Sequence, residues 1–176
     1  MKTAEQKGLE LLDNLNITSV PIPIKKIVRT LGIKLQAYNL GNEVSGALVI
    51  ENGKARIGYN PSESKVRQRF TIAHELGHYI LHGKDKKNDL YVDNVKVMFR
   101  RQNATQAQLK QEREANVFAA TILMPEHLVE KRLDEMYREK PFLTDDNIVK
   151  EMAAIFNVSS IAMAIRLSNL NLITGK

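Results

Sequence analysis

His74-Glu75-Leu76-Gly77-His78 is the stretch of this 176-residue chain whose residue types and spacing carry chemistry. Two histidines at i and i+4 share one face of a helix, with Cβ atoms about 5–6 Å apart. Both imidazoles can then reach one metal ion at Zn–N distances of about 2.0–2.1 Å. Glu75 sits about 100° round the helix from His74. That offset places a carboxylate beside the ion, where it can take a proton from a water whose pKa the metal lowers to about 7. A helix that merely exposes two histidines and a glutamate is the plain alternative, and the surrounding residues weigh against it.

Those residues must build the helix. From Arg69 to Gly83, Phe70, Ala73, Gly77 and Ile80/Leu81 recur at steps of three and four and form a core-facing stripe. Asn60 as N-cap with Pro61 at the first helical position predicts the start. Gly83 followed by Lys84 predicts the stop. Gly77 inside the helix costs about 1 kcal/mol against Ala, so close packing on another backbone, or space beside the metal, is expected there. His82 continues the i, i+4 series, but it lies about 12 Å along the axis from His74. One ion with bonds of about 2 Å cannot span that distance. A place at the helix end, or in support of a ligand, suits His82 better.

A third ligand must come from elsewhere. The chain has no Cys, which leaves His, Asp or Glu. His127 follows Pro125 in a polar stretch and is expected at the surface. The segment Gln111 to Pro125 is polar before Ala115 and nearly all apolar after it, so its second half is expected to be buried. Projected backwards, the inward stripe Ile122, Ala119 and Ala115 continues to Glu112 and Leu109. Glu114 falls instead on the more polar stripe of Lys110, Thr121 and Pro125. A buried carboxylate needs a cation or hydrogen bonds, and a metal supplies the cation. Asn116, four residues beyond Glu112, could hold a ligand histidine through its second ring nitrogen. Glu112 is the favoured third ligand. Glu114 and an ordinary solvated helix remain the alternatives.

Arg69 to Leu81, followed 34 positions beyond His78 by Glu112 and the run to Pro125, resembles the ImmA/IrrE family of metallo-endopeptidases. The matching stretches are RFTIAHELGHYILH and EREANVFAATILMP. Elsewhere, from about Pro21 to Leu170, the likeness is loose. The resemblance implies His74, His78 and Glu112 as ligands of one divalent ion, most simply Zn2+, and Glu75 as catalytic base. It also implies a cytoplasmic protein substrate, a helix-turn-helix repressor of a phage or mobile element. The residue that would steady the oxyanion stays open among Tyr79, Tyr59, Tyr91 and His82.

The remainder of the chain bounds this reading. Its length suits one domain over residues 1–176. Zero Cys excludes disulfides and thiolate ligands. Lys2 to Leu15 is an amphipathic helix pattern rather than a secretory leader. No apolar run approaches about 18 residues, so no membrane span is expected, and a cytoplasmic location follows. The expected order is helix, helix, strands, then helices. Pro23 to Leu31 is a short helix stopped at Gly32, and Ile33 to Ala37 is a strand. Gly46–Ile50 and Ala55–Tyr59 form a hairpin about Asn52-Gly53. Residues 84–108 lack periodicity, apart from a possible strand over Val95–Phe99. The fold class is therefore α+β and zincin-like: a small antiparallel sheet, an active-site helix, then a helical C-terminal half.

The net charge of +6 and pI near 9.5 permit an acidic partner. The basic residues are scattered, however, and no aromatics interleave with them. Only weak, sequence-independent contact with nucleic acid is expected. Residues 144–170 resemble a helix-turn-helix pair. The first turns of the second helix offer Ser159, Ser160, Ile161, Ala162 and Ala164, too apolar to read base edges. Docking of that pair on the core is the expectation. A DNA-binding or stress-regulatory protein that retains a metal site without turnover is the rival reading.

Overall fold

The computed structural model describes residues 2–39, 41, 43–94 and 105–173. Two short helices lead, α1 (Ala4–Asn14) and α2 (Ile24–Thr30). Three strands follow: β1 (Lys34–Ala37), β2 (Val44–Glu51) and β3 (Lys54–Tyr59). Then come α3 (Lys65–His78), β4 (Asp89–Asn94) and four helices: α4 (Gln106–Leu123), α5 (Glu126–Glu139), α6 (Asp145–Phe156) and α7 (Ser160–Asn169). The fold is α+β, as the patterning predicts. The expected strand over Val95–Phe99 lies outside the described residues.

The sheet runs in the order β1-β3-β2-β4. The β2–β3 hairpin is antiparallel and turns at Asn52-Gly53, as expected. Two features depart from the reading of a small antiparallel sheet ahead of the metal helix. β1 pairs with β3 in parallel, so the sheet is mixed. β4 adds to the far side of β2 only after α3 has crossed the sheet. β4 escapes the period-2 pattern because Leu90 is apolar yet 61% exposed and is followed by Tyr91 and Val92, so no alternation of apolar and polar residues marks it.

α3 begins later than its sequence suggests. Asn60 does not cap it; its Oδ1 accepts from Ser62 N and Oγ, and its Nδ2 donates to the carbonyls of Gly41 and Val44. With that side chain spent on a loop, Ser64 caps the helix instead and accepts from Arg67 N at 3.3 Å. After His78 the helix widens into a π-type turn over Tyr79–Gly83. α3 is also buried more fully than one stripe would require. From Thr71 to His78 every residue is buried, Ile72 and Leu76 completely. Each such aliphatic side chain contributes about 1.5–3 kcal/mol.

β2 lies under one side of α3, where Gly46 meets the Thr71 side chain, and α4 lies against another, where backbone meets backbone. A Cβ on Gly77 would stand 3.2 Å from both the Cα and the carbonyl oxygen of Ala115 and 3.1 Å from Phe118 Cδ1. This close approach accounts for a glycine inside a helix. The α4 stripe that carries Glu114 is not polar along its length: Thr121 and Pro125 are buried. α1 covers that face, with Gly8 directly over Thr121.

Gly46 on β2 is the tighter contact. A Cβ there would fall 2.3 Å from Thr71 Cγ2 on α3 and 3.1 Å from the Gly58 carbonyl. Thr71 is β-branched and fully buried, so it cannot swing aside. Gly46→Ala is expected to lower unfolding free energy by about 1–3 kcal/mol through overpacking. A urea midpoint equal to that of the wild type would show that β2 and α3 are not in this register.

The C-terminal pair closes over the opposite end of α3. α6 and α7 meet at 107° through Asn157, which adopts the left-handed conformation, and Ser159 caps α7. Arg69 of α3 donates from Nε to Asn157 O and from Nη2 to Ile22 O, both at 3.0 Å. Burial pulls its pKa down from the usual guanidinium value. Arg166 of α7 is buried, and its Nε donates to Met124 O at 3.0 Å. No single helix among the described residues is long and apolar enough to cross a membrane.

Candidate metal centre

α3 aligns its two histidines by its own period. His74 and His78 stand one turn apart, with Nε2 atoms 3.0 Å from each other and ring planes at 81°. α4 brings the third group. Glu112 sets Oε2 3.4 Å from His74 Nε2 and Oε1 3.5 Å from His78 Nε2. Donor atoms about 2.0–2.1 Å from a tetrahedral ion stand about 3.3–3.4 Å apart. The two histidine–glutamate separations match that edge length, and the two histidine nitrogens, at 3.0 Å, stand slightly closer than it. Two imidazoles and a carboxylate are also a donor set that suits a divalent ion and leaves one position open. Among the described residues, His74, His78 and Glu112 form the cluster able to hold such an ion.

Hydrogen bonding prepares the donors. His74 Nδ1 donates to Asn116 Oδ1 at 2.9 Å. Because the amide oxygen only accepts, Nδ1 carries a proton in this bond and Nε2 is the nitrogen turned toward the cluster, where a bound ion would take its lone pair. Burial opposes ionisation of Glu112, but hydrogen bonds and charge from His74 and His78 outweigh it. Its carboxyl is held well below the usual range, ionised and ready to accept a cation.

The other sequence candidates take different places. Glu75 is completely buried on the sheet side of α3, and its Oε1 is 3.5 Å from the point where a Gly46 Cβ would stand. Glu114 does not join the cluster; its Oε2 lies 3.4 Å from His82 Nε2. Burial lowers the His82 pKa, with Glu114 pulling the other way. His127 is exposed on α5. Of the oxyanion candidates, Tyr59 accepts from Lys25 Nζ at 3.2 Å, whereas Tyr91 stacks on His78 with ring centroids 4.8 Å apart. The Tyr91 hydroxyl donates to Asp89 Oδ2 at 3.1 Å. Burial, aided by Asp89, pushes its pKa up to about 12.

Two aromatic residues border the cluster in roles that spacing did not assign to them. The Phe70 ring, expected in the core-facing stripe, stacks on His74 at 6.3 Å and 28°. β4 delivers Tyr91 and lines a cleft of about 310 Å3 shared with Glu112, Gln108 and Gln111. A glycine within the apolar strand pattern, Gly46, was the sequence signal that β2 would come close to α3.

The profile of the IrrE N-terminal-like domain family (Peptidase_M78) matches residues 28–168. No curated protein gives a significant match. The matched span takes in both helices of the cluster and the sheet beneath them. The chain therefore belongs to the ImmA/IrrE peptidases, a family of metal-dependent hydrolases.

Proposed function

We propose that the protein is a zinc-dependent endopeptidase that cuts one specific protein, a helix-turn-helix repressor of a phage or mobile element. The convergence of His74, His78 and Glu112 on one point carries the metallopeptidase reading; the repressor rests on the family resemblance. A bound divalent ion would polarise the scissile carbonyl and acidify the attacking water. Glu75 takes the proton from that water and returns it to the leaving nitrogen. Asn116 keeps the His74 lone pair aimed at the ion. Tyr91 braces His78 from the β4 side. β4 is one of the two outer strands of the described sheet, the one that borders the cleft beside Glu112, so an extended substrate segment can add to it by main-chain hydrogen bonds.

The rival is DNA binding through α6 and α7, favoured by their 107° bend. The large side chains α7 exposes are Ile161 and Ile165, its exposed polar residues are Ser160, Ser168 and Asn169, and its arginine, Arg166, is buried. The first turn of α7 therefore offers a serine hydroxyl and no long donor for base edges. Purified protein is mixed with candidate helix-turn-helix regulators, and separately with duplex DNA over a salt series. A single cut that a chelator blocks is expected, along with weak DNA retention lost at moderate salt. Salt-resistant, sequence-specific DNA binding with no cut of any regulator would replace this reading with the rival.

A further inference from the structure

An apolar groove of about 710 Å3 runs between α4 and α7, on the opposite side of Asn116 from the ion cluster. Its walls carry exposed aliphatic side chains: Ile161 at 75%, Ile165 at 57% and Val117 at 46%. Ile161 and Ile165 are four apart and so face the same way from α7. Two wall residues belong to both places. Asn116 lines the groove and holds His74; Phe70 lines it and stacks on the His74 ring at an angle of 28°. The groove therefore adjoins the metal centre through those two side chains.

Its shape and charge specify an occupant. From Asn116 to Met124 the α4 wall is eight residues, about 12 Å, the length of two helical turns. Most of the polar lining already has a partner within the protein: Asn116 holds His74, Arg166 donates to Met124, Ser64 and Ser159 cap helices, and Arg67 donates to Ser45. At the end far from His74, Glu126 is exposed just beyond Met124, while Glu5 is spent on an ion pair with Arg166 at 3.4 Å; at the Phe70 end the lining cation is Arg67. Negative charge at a groove's end suits the positive N-terminal end of a helix. We infer that this groove receives an amphipathic helix of the protein substrate. The helix lies with its N-terminus at Glu126 and its C-terminus toward His74, so the segment that follows it enters the metal centre. This rests on the peptidase reading above and assigns α7 the task of substrate selection. Apolar anchors at i, i+3 or i+4, and i+7 would seat between α4 and α7.

The test is a selection. Phage-displayed 16-residue helical peptides are selected on the metal-loaded protein, with the Ile161→Glu/Ile165→Glu double variant as counter-target. Both isoleucines are exposed, so circular dichroism, melting and metal content of the double variant should match the wild type. Selected peptides should share the i, i+3/i+4, i+7 apolar spacing and bind the double variant at least tenfold more weakly by fluorescence anisotropy. Each peptide is then joined to a flexible fluorogenic tail. A tail at its C-terminus should be cut at least tenfold more efficiently than the same tail at its N-terminus. Equal affinity for both proteins, no helical spacing, equal cutting in both orientations, or wild-type self-association that the double variant loses would overturn the inference. Groove binding as described, with neither tail cut, would instead overturn the peptidase reading and the substrate role with it.

Discussion

Glu75→Gln is expected to leave a folded protein with one metal ion per chain and a cleavage rate lower by about 10²–10⁴-fold, the usual contribution of a positioned proton acceptor. Glutamine has the same shape, and Glu75 is enclosed by α3 and β2, with no room for a larger replacement. The substitution removes the basic oxygen and little else. Metal is counted by mass spectrometry, and cleavage is followed on the regulator. An undiminished rate would end the assignment of Glu75 as base. Loss of metal along with activity would make it a ligand instead.

Removal of any one of His74, His78 and Glu112 by substitution with Ala should abolish stoichiometric metal binding. Each supplies a donor to a set of three, and nothing else in the described cluster replaces it. Asn116→Ala should act more gently, about 10–100-fold in affinity, because it orients a donor rather than being one. Glu114→Ala should leave affinity unchanged, since that carboxylate faces His82. Competition against a chromophoric chelator measures all five. Full metal content in Glu112→Ala combined with loss in Glu114→Ala would reverse the choice between the two glutamates.

That choice was legible because helices have a fixed period. His74 and His78 declare their shared face by spacing alone. Stepping back from Ile122 through Ala115 places Glu112 on the inward side of α4, where the structure has it. Asn116 follows from the same step. The elements that escaped are those whose signals were local and ambiguous. Asn60 is as good a cap as Ser64 by residue type; only the nearby Gly41 and Val44 carbonyls claim it. Thr121 appears polar until α1 packs over it. β4 has no period to find because an apolar residue, Leu90, occupies its open face beside Tyr91 and Val92, and the parallel pairing of β1 is a long-range choice with no local mark. Those same features, β4 with Tyr91 and the groove beside α7, lie where substrate would be met rather than where the ion would be held.

The Gly77–Ala115 contact has a consequence for how the centre tolerates change. The histidines and Glu112 are on different helices, and the gap between those helices is set by main chain touching main chain. Side chains cannot take up slack in such a seam, nor can they open it by a rotamer change. The distance across the cluster is in effect a machined dimension: substitutions scattered through the chain leave it alone, whereas one methyl group at position 77 resets it. Binding surfaces around the centre can thus drift toward new substrates while the chemistry keeps its spacing.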